Sequence, residues 1–134
     1  MATLRMVNET APLAGIAILL VEDDLEARRL AAGALGAWGA IVVEVASAEA
    51  ACRSLQSVIP TVVVTALDQS GVDSAWLLRQ IRELPADKGG AVPVVAFSAS
   101  QQAREQIRAA GFHDLVGKPI DPFELCAAIT WTLS

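Results

Sequence analysis

Short apolar runs alternate with amphipathic stretches along most of the chain, and the alternation predicts a repeating strand–helix order. Ile16 to Val21 is apolar throughout and ends abruptly in Glu22, Asp23 and Asp24. Leu25 to Trp38 has helical spacing, with Leu30, Ala34, Leu35 and Trp38 on one face and Arg28 and Arg29 off it, and Gly39 stops it. Ile41 to Val45 predicts a second strand. Ser47 caps a helix that runs to about Val58, and Pro60 follows. Thr61 to Thr65 predicts a third strand, and Asp73 starts a helix to about Leu84. After the polar loop Pro85–Gly90 come a fourth strand, Val92 to Phe97, and a helix from Ser100 to Ala110 closed by Gly111. Leu115-Val116 predicts a short fifth strand, and Asp121 opens a last helix to about Thr132.

Strands that read as continuous Val/Ile/Leu runs belong in a parallel sheet covered on both faces. With right-handed crossovers, few topologies remain. The pattern predicts an α/β fold: a doubly wound five-stranded parallel sheet of flavodoxin-like order 2-1-3-4-5, with helices on both faces. One domain spans 16–134, and residues 1–15 form a flexible N-terminal lead-in.

A length of 134 residues fits that single domain. Ten Lys+Arg against fifteen Asp+Glu give a formal charge of −5, which argues against a nucleic-acid partner. The longest apolar run, Ile16 to Val21, is far too short to span a bilayer, so no membrane partner is expected. Cys52 and Cys126 lie in apolar stretches outside any C-x-x-C pair and read as reduced thiols of a cytoplasmic protein. The single histidine, His113, excludes a histidine-rich metal cluster and reads as a surface residue in the turn before the fifth strand.

In an open sheet of this order, ligands bind outside the carboxyl ends of the strands, at the switch point between strands 1 and 3. Strand 1 delivers Glu22, Asp23 and Asp24 there, with Asp24 the cap of the first helix. Strand 3 delivers Thr65, Ala66, Leu67 and Asp68; strand 4 delivers Ser98; strand 5 delivers Lys118 before Pro119. Adjacent carboxylates suit a hard divalent cation such as Mg²⁺. A hydroxyl and an ammonium beside it suit phosphate handling, the lysine acting as a compact point charge.

These segments resemble the receiver domains of bacterial two-component response regulators, over about Ile16 to Leu133. Ile18 to Asp24 resembles the family's first strand and acidic pair, which puts Glu22 and Asp23 on the metal-binding positions. Ala96-Phe97-Ser98-Ala99 puts Ser98 on the hydroxyl position that senses the phosphoryl group, and Gly117-Lys118-Pro119 resembles the family's lysine with its Lys–Pro bond. The resemblance implies a signalling module rather than an enzyme, with a histidine kinase, phosphotransfer protein or output protein as partner.

One departure stands out. Laying Pro60 to Thr65 and Gly71-Val72-Asp73 on the family pattern puts Ala66 where the phosphoacceptor aspartate belongs. Ser70 and Ser74 stand where proline and glycine are common, and Leu115 takes the position of the aromatic switch. The chain therefore reads as a non-phosphorylatable pseudo-receiver acting by protein–protein interaction, with a weak, incomplete Mg²⁺ site at Glu22 and Asp23. Lys118 is then expected to pair with Asp23. A conventional phosphoacceptor receiver, free-standing or from a hybrid histidine kinase, inactivated by an engineered Asp-to-Ala change at position 66 fits the same residues. A nucleotide- or flavin-binding protein of this fold fits less well, since no glycine-rich loop follows the first strand. Asp68, two residues past Ala66, reads as a solvated loop carboxylate.

The family's usual contact face, helix 4–strand 5–helix 5, would present Gln101, Gln102, Arg104, Arg108, Leu115 and Trp131, for a partner or a homodimer. Trp131 falls opposite the buried stripe Leu125, Ile129, Leu133, and Trp76 falls opposite Leu77, Leu78, Ile81, so both are expected to be exposed.

Overall fold

The computed structural model describes residues 11–67, 72–98, 104–118 and 121–134. Five strands, β1 (Ala17–Val21), β2 (Ile41–Val45), β3 (Val62–Ala66), β4 (Val94–Ser98) and β5 (Asp114–Gly117), form one sheet in the order β2-β1-β3-β4-β5. Every pairing is parallel. Between them run α1 (Leu25–Ala37), α2 (Ala48–Leu55), α3 (Val72–Glu83), α4 (Arg104–Ala109) and, last, α5 (Pro122–Thr132). The doubly wound order read from the sequence is the one observed.

Alternation of side chains along the strands divides the core into two layers. Ile18 and Leu20 of β1, with Val62 and Val64 of β3, face α1 and α5, where Ala31, Leu35, Leu125 and Ile129 close the layer. Leu19 and Val21, with Val63, face α2 and α3, against Ala51, Leu55, Leu77 and Ile81. Burying such side chains stabilises the fold by about 1.5–3 kcal/mol each.

Three helix starts follow their predicted caps. Asp24 accepts the Ala27 N–H at 2.9 Å, Ser47 the Ala50 N–H at 3.1 Å, and Asp121 the Phe123 N–H at 2.9 Å. Each satisfies a donor that the first helical turn leaves open. The second helix stops at Leu55 rather than near Val58, and Ala86–Lys88 of the polar loop forms a 3₁₀ turn.

One local expectation needs correction. Leu30 is 69% exposed, so the buried stripe of α1 is Ala31 and Leu35, with Ala32 and Trp38 packed beside it. Ahead of β1, Leu13 is fully buried and its N–H donates to the Trp38 carbonyl at 2.9 Å. Gly39 makes that approach possible. Its φ is +100°, and a Cβ there would meet the Ala14 Cα at 3.0 Å.

Candidate functional site

The carboxyl ends of β1, β3 and β5 converge on a cleft of about 330 Å³ lined by Glu22, Asp23, Ala66, Asp73, Ser74 and Lys118, among others. The central strands β1 and β3 and the edge strand β5 position Glu22, Asp23, Ala66 and Lys118, and the first turn of α3 brings Asp73 and Ser74.

Glu22 follows β1 and is only 2% exposed. Its Oε1 accepts the Lys118 ammonium at 2.9 Å, and its Oε2 accepts the Asp24 N–H at 3.4 Å. A buried carboxylate needs such partners, since desolvation disfavours its charged form. Lys118 follows β5. Its own N–H donates to the Ser98 carbonyl at 2.8 Å, which carries the β4–β5 pairing one residue past the strand end. The ammonium also lies 5.1 Å from the centroid of Phe97, within cation–π range. Instead of the expected Lys118–Asp23 pair the ammonium meets Glu22, which is buried, while Asp23 in the same cleft is exposed.

β3 ends in Ala66, which brings only a methyl group to the cleft. Its carbonyl accepts the Ser74 hydroxyl at 2.8 Å. Ser74 is buried at 4% exposure in the first turn of α3, so this bond ties the end of β3 to that helix. The sequence marked Ser74 only as a replacement for glycine. A serine in a first helical turn is a signal for local main-chain hydrogen bonding, but its acceptor eight residues upstream needed the fold.

Arg28 was also missed. It lies off the apolar face of α1 and folds back, its Nη1 donating to the Glu22 carbonyl at 3.0 Å and its Nε lying 3.4 Å from Glu44. Ser98 is buried at the end of β4, beside Gly117 in register, and is not one of the residues lining the cleft. Asp68, Ser70, Gln101, Gln102, Pro119 and the side chain of Arg104 lie outside the described residues.

Mg²⁺ fits this donor set poorly. It requires near-octahedral oxygen coordination. Of the two carboxylates at the end of β1, Glu22 is already engaged by an ammonium. Among the described residues, no cluster of three or more acidic, histidine or cysteine side chains could hold a metal ion.

The residues named for the contact face differ in exposure. Trp131 is 76% exposed and stands over a shallow hollow with Asp114 and Glu124. Arg108 is exposed, with its guanidinium 3.5 Å from Asp114. Leu115 does not belong to that face. It is 2% exposed and points into the α2–α3 layer, because β5 alternates Leu115 and Val116 between the two layers. Trp76 is likewise half-buried against that layer rather than exposed. His113 is exposed as expected, and its Nδ1 accepts the Val94 N–H at 3.3 Å.

A family model for the response regulator receiver domain matches residues 18–130. The chain belongs to that family. An uncharacterized 14.6 kDa protein in the sodA1 3′ region of Leptolyngbya boryana is 38% identical to this receiver over 117 residues, covering 84% of this chain and 86% of that protein. The chemotaxis response regulator CheY4 of Vibrio cholerae superimposes with a TM-score of 0.78 at 17% identity, covering 88% of this chain and 98% of that one, and shares the fold. A response regulator from Desulfuromonas acetoxidans superimposes with a TM-score of 0.74 at 26% identity, covering 88% and 96%. No helix among the described residues is long and apolar enough to cross a membrane.

Proposed function

We propose that this receiver is a cytoplasmic signalling module that is not itself phosphorylated and acts through protein–protein contact. The observation that carries the reading is Ala66 at the carboxyl end of β3, in one cleft with Glu22, Asp23 and Lys118. That is the position where a receiver of this family carries its acceptor aspartate. A methyl group offers no oxygen nucleophile to a phosphodonor.

The rest of the cleft supports the same reading. The Lys118 ammonium, which would neutralise a phosphoryl oxygen, is held by Glu22. Glu22 and Asp23 remain as the residues of an incomplete, weak Mg²⁺ site, and Ser98 and Lys118 as supporting residues without an acceptor to serve. The working surface is the face of α4, β5 and α5 that carries Arg108 and Trp131. Arginine and tryptophan are enriched among residues that dominate contact energy. The partner is a histidine kinase, a phosphotransfer protein or an output protein of a two-component pathway.

Incubation with acetyl phosphate and Mg²⁺, followed by intact mass measurement, tests the proposal. The expected spectrum shows the unmodified mass. A stoichiometric acid-labile phosphoryl adduct overturns it.

A further inference from the structure

The sheet has two edges, and they are treated differently. β5 is buried at its two central residues. β2, Ile41-Val42-Val43-Glu44-Val45, carries three exposed residues out of five, and no strand of the described chain lies beyond it. An exposed, apolar, β-branched edge strand is a template for pairing with another strand, and folded proteins usually guard it with charge, proline or a bulge.

β2 has none of those guards in working form. It contains no proline, and its register with β1 runs without interruption from Ile41 to Val45. Its single charge, Glu44, is engaged by two arginines of its own α1, with Arg28 Nε at 3.4 Å and Arg29 Nε at 3.8 Å.

The hydrogen-bonding pattern specifies what can dock. The Ile41 N–H donates to Ile16, and the Val45 carbonyl accepts from Glu22, so Ile41, Val43 and Val45 direct their main-chain groups toward β1. Val42 and Glu44 therefore direct theirs outward. The side chains of Ile41, Val43 and Val45 share one face of the strand, the two most exposed being Ile41 at 64% and Val43 at 40%. Val58 and Ile59, both more than half exposed, extend the apolar surface, and Val58 and Val43 line one small hollow.

We infer that β2 is a self-association edge, at which a second copy of this chain adds its own β2 antiparallel to the first about a two-fold axis at Val43. The strand is complementary to itself in that arrangement and in that register. Val42 meets Glu44 of the second copy, and Glu44 meets Val42, so each pair exchanges both main-chain bonds through the groups that point outward. Val43 then meets Val43 in the close, non-hydrogen-bonded pairing, with Cα atoms about 4.5 Å apart. Ile41 meets Val45 and Val45 meets Ile41, making every cross-strand pair on that face apolar. The two glutamates face valines rather than each other. The partner copy would convert two five-stranded sheets into one continuous ten-stranded sheet, with the clefts at Glu22 left open.

Sedimentation equilibrium of the full chain, with Val43→Lys and Val43→Cys variants, tests this. Val43 is part-exposed and lies outside the cleft, and circular dichroism checks each fold. The wild type should dimerise at micromolar to high micromolar concentration, and Val43→Lys should weaken the dimer at least roughly ten-fold by setting two ammonium groups against each other on the axis. Under mild oxidation Val43→Cys should give a covalent dimer. Val42→Cys and Glu44→Cys should not, because neither residue meets itself in this register. A wild type that stays monomeric throughout overturns the inference. So does a dimer that Val43→Lys leaves unchanged but Trp131→Ala disperses, which would assign association to the α5 face. Equal cross-linking at positions 42, 43 and 44 overturns the two-fold register. If Val43→Lys does not fold, the cysteine series alone decides.

Discussion

Lys118 holds Glu22 rather than Asp23, and so the buried carboxylate at the end of β1 is neutralised from the far side of the sheet by the residue that follows β5. The contact is short, at 2.9 Å, and engages the ammonium that lines the cleft. The ammonium of the cleft is thereby engaged, and position 66 brings the cleft only a methyl group.

Removing one partner should cost more than removing both. Lys118→Met leaves Glu22 buried without its ammonium and should lower stability by about 1–3 kcal/mol. Glu22→Gln combined with Lys118→Met should recover part of that loss. Urea unfolding of the single and double variants measures the coupling. Equal and additive losses would mean the pair contributes nothing to the folded cleft.

Ala66→Asp should raise Mg²⁺ affinity. The substitution puts a third carboxylate beside Glu22 and Asp23, a donor set that suits a hard cation far better than two. It also competes for Lys118 and releases Glu22. Titration of Mg²⁺ against tryptophan fluorescence, in the substituted and unsubstituted chains, should show saturable binding only in the former. Equal affinities would show that β3 does not bring position 66 to the metal.

Leu115 and Trp131 should respond oppositely to truncation. Leu115 is buried between β4 and the α2–α3 layer, so Leu115→Ala should destabilise by about 2–5 kcal/mol. Trp131 is mostly exposed, and Trp131→Ala should stay within about 0.5 kcal/mol of the parent. Chemical denaturation of both variants checks the pair. Acrylamide should quench Trp131 more strongly than Trp76, which is half-buried.

Acid should weaken the fold partly through His113. Partial desolvation of its ring, which lies against β4, and then the nearby Arg82 guanidinium, hold the imidazole of the otherwise exposed His113 below the ordinary histidine value. The unfolded chain consequently takes up the proton first as pH falls through about 6.5. The contribution of neutral His113 is complete above that value. It is lost as pH falls from there toward the lower folded-state value, since the unfolded state binds more protons across the window. Protonation also ends the acceptance of the Val94 N–H by Nδ1. His113→Gln should flatten the dependence of stability on pH between 7 and 5.5, measured by urea midpoints. An unchanged slope would assign the effect to carboxylates elsewhere.

The elements that were legible in the sequence are those whose signals are local. Apolar runs ending in Glu22 or Phe97 marked buried parallel strands, and Asp24, Ser47 and Asp121 marked helix starts through bonds that span two or three residues. What failed depended on packing between elements. Leu30 fits a helical stripe by spacing, yet the layer between α1 and the sheet admits Ala31 and Leu35 and leaves Leu30 outside. Leu115 sits in an edge strand, but both faces of β5 are covered, so its side chain is enclosed. The residues of the cleft could be gathered from strand ends alone; which carboxylate Lys118 would choose depended on their relative burial, which no spacing encodes. Leu13 lay ahead of any recognisable pattern and is buried because the turn at Gly39 receives it.

The order β2-β1-β3-β4-β5 also fits assembly from the N-terminus onward. Once β1 and β2 are paired, β3 must join on the opposite side of β1, and β4 and β5 then extend that same growing edge, each crossover being local in the chain. A polypeptide emerging from the ribosome can add these strands in the order of their synthesis, as domains are made from the N-terminus onward. Glu22 is therefore made early, while Lys118, 96 residues later, is made with the last strand. A chain that lacks β5 leaves the Glu22 carboxylate without its ammonium partner.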